Sequence, residues 1–296
     1  MRIRIMMLCS TLSLTLLLSA CSLVPGKINS SPQFDNALFY AKVSDLSYKT
    51  DAQIPPGLTA LGLTLKKTGN VSGTEVQYFV AEDTRQEHQI ISVRGTANPE
   101  NVIVDAKFVF IDVESLGIKV HKGFAEASKE VLKDLLKDNA DTLDKTKPII
   151  VTGHSLGGAV AVLISMHLQE MGYHIDSIYT YGQPKVTDRH GANKFKSIPL
   201  IRYANNKDIV PLVPPLSRDQ ESHWDIYWHL GKEVLLYPDT RYVQLGADAS
   251  VLRGLTGYYD DLFKKRDLGA HSLVNYIASL QAKIPTSQEV ELELLP

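Results

Sequence analysis

Three residue types spread along this chain can together break an acyl bond: a serine on a glycine-flanked turn, a carboxylate after a later strand, and a histidine beyond it. The serine is Ser155, in Gly153-His154-Ser155-Leu156-Gly157-Gly158. The apolar run Pro148-Ile149-Ile150-Val151 precedes it, and Ala159-Val160-Ala161-Val162-Leu163-Ile164 follows. That order reads strand, tight turn, helix, a G-x-S-x-G elbow that lifts the hydroxyl above a sheet while the glycines let helix and strand approach. The bare pattern is common by chance, so the flanking context makes Ser155 the candidate nucleophile. A serine hydroxyl is a poor nucleophile near neutral pH. It needs a histidine to take its proton and an acid to orient that histidine.

In open α/β sheets reactive side chains gather where strands end. Two acids meet that condition. Asp208 sits in Asn205-Asn206-Lys207-Asp208-Ile209-Val210-Pro211 after a strand at 200–204, and Asp188 follows the preceding strand through Tyr181-Gly182-Gln183-Pro184. Asp208 is the stronger; it can also serve as a turn or helix-cap residue, and its neighbourhood favours function. Of the nine histidines, His223, His229 and His271 come after Asp208, in the order Ser, Asp, His. His271 opens the last helix, at a loop–helix junction from which the imidazole can reach across strand ends. His223 and His229 flank Trp224 and Trp228, which read as wall or packing residues, and their spacing makes a poor zinc site. His154 is expected to point away from Ser155. The oxyanion that forms on attack needs two donors. The backbone N–H of Leu156 supplies one. Val93-Arg94-Gly95-Thr96 ends an earlier strand, and Thr96 is the expected second donor.

The elements that position these groups alternate. An amphipathic helix is expected over 34–48, a hairpin from strands at 74–80 and 89–94, and a helix over 124–136. Strands follow at 149–151, 177–181, 200–204 and 227–236, with a helix near 188–195. Pro55-Pro56 and Pro214-Pro215 suggest rigid loops. Such alternation argues for one α/β domain, a mainly parallel central sheet with helices on both faces. Residues 34–284 form this domain, and 285–296 read as a loose acidic tail.

Taken together, Val93-Arg94-Gly95-Thr96, Val120-His121-Lys122-Gly123-Phe124, Thr152 to Gly158, Tyr181-Gly182-Gln183-Pro184-Lys185-Val186, Asn206 to Pro211 and His271 to Tyr276 resemble the class 3 (fungal-type) lipases over about residues 35 to 281. The resemblance implies an α/β-hydrolase fold, ester hydrolysis of lipids, no cofactor or metal, and a Ser155–Asp208–His271 triad. It also supports Thr96 and Leu156 as oxyanion donors. A lid often follows the Arg-Gly-Thr strand in this family. Here 98–105 is β-branched and a modest helix former, so a minimal lid is expected. Val102, Ile103, Val104, Phe108 and Phe110 either line an acyl groove or pack into the core. The disulfides of secreted fungal members are absent.

The first twenty residues read as an export signal, with basic Met1-Arg2-Ile3-Arg4 and an apolar stretch from Leu12 to Leu18 too short to span a bilayer. It ends Leu18-Ser19-Ala20-Cys21, which resembles a bacterial lipobox. Cys21 would then be the acylated mature N-terminus, and residues 21–33 a tether. Ser22 resembles the outer-membrane-sorted class. With Cys9 in the signal and Cys21 lipidated, no thiol pair remains for a disulfide. A net charge of −2 without long single-sign runs excludes a nucleic-acid footprint. The expected protein is a membrane-anchored serine esterase acting on triacylglycerol, phospholipid or lysophospholipid. The competing reading is a non-catalytic envelope lipoprotein using the same fold as a binding scaffold. Every residue type that catalysis requires is present, which favours the enzyme.

Overall fold

A computed structural model describes residues 32–71, 76–96, 109–137, 142–214, 216–218, 224–261 and 268–292. The signal segment, Cys21, the 98–105 segment and His223 lie outside these residues. Helix α1 (Phe34–Leu46) buries Phe34, Ala37, Leu38 and Ala41, as its spacing predicts. Helix α2 (Ile54–Ala60) follows. Pro55-Pro56 do not form the expected rigid loop: both prolines lie in the first helical turn, where a missing N–H costs no intrahelical bond.

Strands β1 (Thr64–Val71), β2 (Val76–Asp83) and β3 (His88–Val93) form an antiparallel meander. β1 escapes sequence reading because Lys66, Lys67, Gly69 and Asn70 dilute its apolar pattern. As the sheet's edge strand it keeps much of its length exposed, and lysine there discourages pairing with another chain. A separate hairpin, β4 (Phe110–Val113) and β5 (Ile118–His121), leads into α3 (Lys122–Leu135). Then come β6 (Ile149–His154), α4 (Leu156–Glu170), β7 (Ile175–Tyr181), α5 (Arg189–Lys194) and β8 (Leu200–Asn205). A short hairpin, β9 (Leu216–Arg218) and β10 (Trp224–Ile226), precedes β11 (Lys232–Leu236) and β12 (Arg241–Leu245). The strand expected over 227–236 is thus split: the chain turns at Gly231, at φ +71°, and only 232–236 joins the sheet. Helices α6 (Ala247–Asp261) and α7 (Leu273–Gln281) and strand β13 (Gln288–Glu289) complete the described chain.

The main sheet runs β1-β2-β3-β6-β7-β8-β11-β12-β13. Its centre, from β3 to β11, is parallel throughout, and antiparallel pairings lie toward its edges. This is the α/β-hydrolase arrangement expected. Two apolar cores cover its faces. On one, Val131 and Leu135 of α3 and Val160 and Ile164 of α4 pack on Ile91, Val151 and Ile178. α4 is buried from Gly157 to Met166 because it is apolar nearly all round and lies between sheet and α3. On the other face α1 and α7 cover Ile150, Tyr181 and Tyr203. Burial of each large apolar side chain stabilises by about 1.5–3 kcal/mol. Both layers therefore hold the central strand ends rigidly.

The C-terminal segment is a second correction. Gln288–Glu289 pairs in parallel with β12, and Val290 and Leu292 pack beside Val243 and Leu245. Alternation of Val290 and Leu292 with acidic residues is a strand period, which the acidic composition masked. Among the described residues no helix is long and apolar enough to cross a membrane.

Candidate active site

β6 ends at His154 and α4 begins at Leu156, leaving one residue for the turn. Ser155 takes φ 59°, ψ −133°, a conformation that a non-glycine residue adopts only under strain. Its N–H donates to the Tyr181 carbonyl at 2.9 Å, tying the elbow to β7. Gly157 allows the crossing, since a Cβ there would lie 2.3 Å from the Val93 carbonyl oxygen of β3. The elbow thus sits above the sheet where β3, β6 and β7 end.

His271 closes the short 3-10 turn Leu268–His271 just before α7. Its Nε2 lies 2.7 Å from Ser155 Oγ, and its Nδ1 lies 2.8 Å from Asp208 Oδ2. All three side chains are buried. Asp208 follows β8, as predicted, and its carboxylate is fully enclosed. A buried carboxylate must have its hydration replaced by donors. Val210 N–H donates to Oδ1 at 2.8 Å, and the Tyr276 hydroxyl donates to Oδ2 at 2.6 Å beside the His271 bond. Burial, then the Asp208 charge, keep the Tyr276 phenol protonated, its pKa raised well above the ordinary value. Tyr276 in turn accepts from Asn205 N–H at 3.0 Å, while Asn205 Nδ2 donates to the Ala270 carbonyl. The acid loop and the histidine loop are therefore cross-linked. Gly182 makes room for them: at φ +61° it packs where a Cβ would lie 2.8 Å from His271 Cε1 and 2.9 Å from Asp208 Oδ2.

The other sequence candidates stand elsewhere. Asp188 is the N-cap of α5, its Oδ1 accepting from Gly191 N–H at 2.8 Å. His229 is buried with Nε2 against the Pro211 carbonyl, and burial pushes its pKa far below the ordinary value. Trp228 packs under the Arg189 guanidinium and donates Nε1–H to Asp248. Phe110 stacks on Tyr227 at 3.9 Å between ring centres. Thr96 is half-buried just after β3, and Leu156, also half-buried, opens α4.

His154 does turn from the serine, yet it is no bystander. Its ring lies 4.6 Å from that of His271, its Nε2 meets the His271 carbonyl at 2.7 Å, and its Nδ1 meets Tyr48 Oη at 2.8 Å. Burial, reinforced by the neighbouring His271, pushes its pKa down to about 3, so it stays neutral. Tyr276, Tyr48 and the bonding of His154 were missed at the sequence level. Only the position of Tyr276 one turn beyond His271 offered a signal.

This geometry accords with what the chain is similar to. Residues 90–218 match the family model for class 3 lipase. A lipase of Rhizomucor miehei is 35% identical over 178 residues, which cover 56% of this chain and 48% of the relative. The chain spans about half that relative's length. The crystal structure of a lipase from Rhizopus microsporus var. chinensis superposes with a TM-score of 0.58 at 30% identity, covering 70% of this chain and 75% of that one. A triacylglycerol lipase whose catalytic centre is a serine protease triad superposes at 0.59, with 29% identity over 70% of this chain and 81% of its own. With its elbow, its sheet order and these relatives, the chain belongs to the class 3 lipase family.

Proposed function

We propose that this protein is a serine esterase that hydrolyses carboxylic esters of lipids through an acyl-enzyme, with Ser155 as nucleophile, His271 as general base and Asp208 as its orienting acid. The observation that carries the reading is the unbroken hydrogen-bond chain from Ser155 Oγ through both ring nitrogens of His271 to Asp208. In this mechanism Nε2 takes the serine proton as Oγ attacks the ester carbonyl, and Asp208 holds Nδ1–H and offsets the imidazolium charge. The N–H of Leu156 and Thr96 stabilise the tetrahedral oxyanion. Collapse expels the alcohol, which takes the proton from Nε2. Water then attacks the acyl-enzyme with His271 again as base, releasing the acid and restoring Ser155.

Lipid esters are the proposed substrates because of family membership. An acylated Cys21 would hold the enzyme at an envelope membrane, and several acyl chains exceed the two-signal threshold for lasting attachment. That anchor places phospholipid within reach as well as external fat. Fatty-acid release from triolein, dioleoylphosphatidylcholine and lysophosphatidylcholine, measured side by side with wild type and Ser155→Ala, tests mechanism and substrate together. Serine-dependent release from at least one is expected. Equal release by Ser155→Ala would remove the triad assignment, and no release from any would return weight to a binding scaffold.

A further inference from the structure

The hydrogen bonds around His154 can have only one direction. Its Nε2 faces a carbonyl oxygen, that of His271, so Nε2 carries the proton and donates. A neutral ring then leaves Nδ1 as an acceptor, and the Tyr48 hydroxyl must donate to it. With its proton committed, Tyr48 Oη accepts the Gly95 N–H at 3.1 Å. Gly95 immediately precedes Thr96, and a Cβ on it would lie 2.6 Å from Tyr48 Oη and 3.1 Å from Ser155 Cβ. One ordered chain therefore runs from the strand end beside the nucleophile, through Tyr48 and His154, to the backbone of the catalytic histidine.

Two of its members come from distant parts of the sequence. Tyr48 stands just past α1, which packs on α7 and β6, so the helix nearest the N-terminal tether supplies one link. His154 supplies the other from the elbow itself. We propose that Tyr48 and His154 form a brace that fixes the Gly95–Thr96 segment, the proposed oxyanion loop, relative to the His271 backbone, making both of them positioning residues for acyl transfer. The proposal rests on the triad reading above. It assigns the elbow histidine a task other than proton transfer: its ring nitrogens bond the His271 carbonyl and the Tyr48 hydroxyl.

The test uses the full chain and p-nitrophenyl butyrate. Tyr48→Phe removes the donor to Nδ1 and the acceptor for Gly95 N–H while keeping the ring. Loss of one or two neutral hydrogen bonds that align the transition state predicts kcat about tenfold lower with KM within about twofold of wild type. His154→Gln keeps an amide donor for the His271 carbonyl and is expected to retain more kcat than His154→Leu, which keeps none. Circular dichroism checks folding; should His154→Leu not fold, Tyr48→Phe and His154→Gln carry the comparison. Side-chain nitrogen NMR of wild type is expected to find His154 neutral with the proton on Nε2. Unchanged kcat in Tyr48→Phe and in both His154 variants, with wild type active and Ser155-dependent, would overturn the brace and leave the triad standing. A proton on Nδ1 would overturn it independently. Wild type without Ser155-dependent turnover would remove the triad reading and the brace together.

Discussion

At the scale of single residues, the site's electrostatics centre on a carboxylate with no exposure to water. Among the described residues, His271, Tyr276 and Val210 donate hydrogen bonds to this carboxylate, that of Asp208. A hydrogen bond to a charged group is worth about 1.5–3 kcal/mol, so Tyr276→Phe leaves Asp208 short of one strong donor and free to turn. Its kcat on a soluble ester should fall about tenfold or more, with KM little changed. An unchanged kcat would mean that the Tyr276 hydroxyl is not needed to hold the acid. Ser155, Asp208 and His271, which the structure joins by hydrogen bonds, were legible in the sequence because their types and order are what the proposed chemistry requires. Tyr276 and Tyr48 were not, since a tyrosine on an apolar helix face or helix end carries no mark that separates a hydrogen-bonded partner from core. Asp188 and Asp208 look alike from strand ends alone. The structure separates them because Asp188 is spent on the α5 N-terminus.

At the scale of elements, the site is built where strand ends are crowded to the limit. Gly182 leaves β7 at positive φ against His271 and Asp208. Gly182→Ala should lower stability by roughly 1–2 kcal/mol for the strained φ, and displace His271 so that kcat falls further than stability explains. Thermal melts and kcat measured on the same preparation decide this; a loss in melting temperature with full activity would show that the loop relaxes elsewhere. The strongly patterned elements, β6, α4, β7 and α3, are readable from sequence because each is buried on a continuous face. Among the elements that escaped, three have local signals that conflict with their tertiary role. β1 is a lysine-rich edge, α2 carries two prolines in its first turn, and β13 is a polar two-residue strand followed by Val290 and Leu292 among acidic residues. The predicted strand at 227–236 overran because Gly231 breaks it without breaking the apolar run.

Across the whole molecule, the fold buries neutral histidines and paired charges in ways that tie its stability to pH. Burial pushes the pKa of His121 down to about 4 and of His154 to about 3, and that of His229 far down as well. These groups take protons more readily once unfolded, so the unfolded state gains protons relative to the folded one as pH falls below about 6.5. Glu233 acts in the same direction. Burial alone would raise its pKa, but Arg253 and Arg202, 2.5 and 2.9 Å away, hold it below the ordinary carboxylate value, a stabilisation lost on acidification. The melting temperature should therefore fall as pH drops from 6.5 to 4, by calorimetry. A flat profile over that window would mean that these groups are solvated in the native state. Breaking the Arg202–Glu233 pair by Glu233→Gln should cost about 3–5 kcal/mol, since the buried Arg202 guanidinium loses the carboxylate 2.9 Å away.

The most direct test of the central claim is covalent capture of the nucleophile. The protein is treated with a p-nitrophenyl alkylphosphonate, and the adduct is mapped by peptide mass spectrometry in wild type, Ser155→Ala and His271→Ala. The geometry predicts one phosphonyl group per chain on Ser155, none in Ser155→Ala, and labelling slowed by orders of magnitude, about 10³-fold or more, in His271→Ala. Labelling at another residue, or wild-type labelling no faster than that of His271→Ala, would contradict the account.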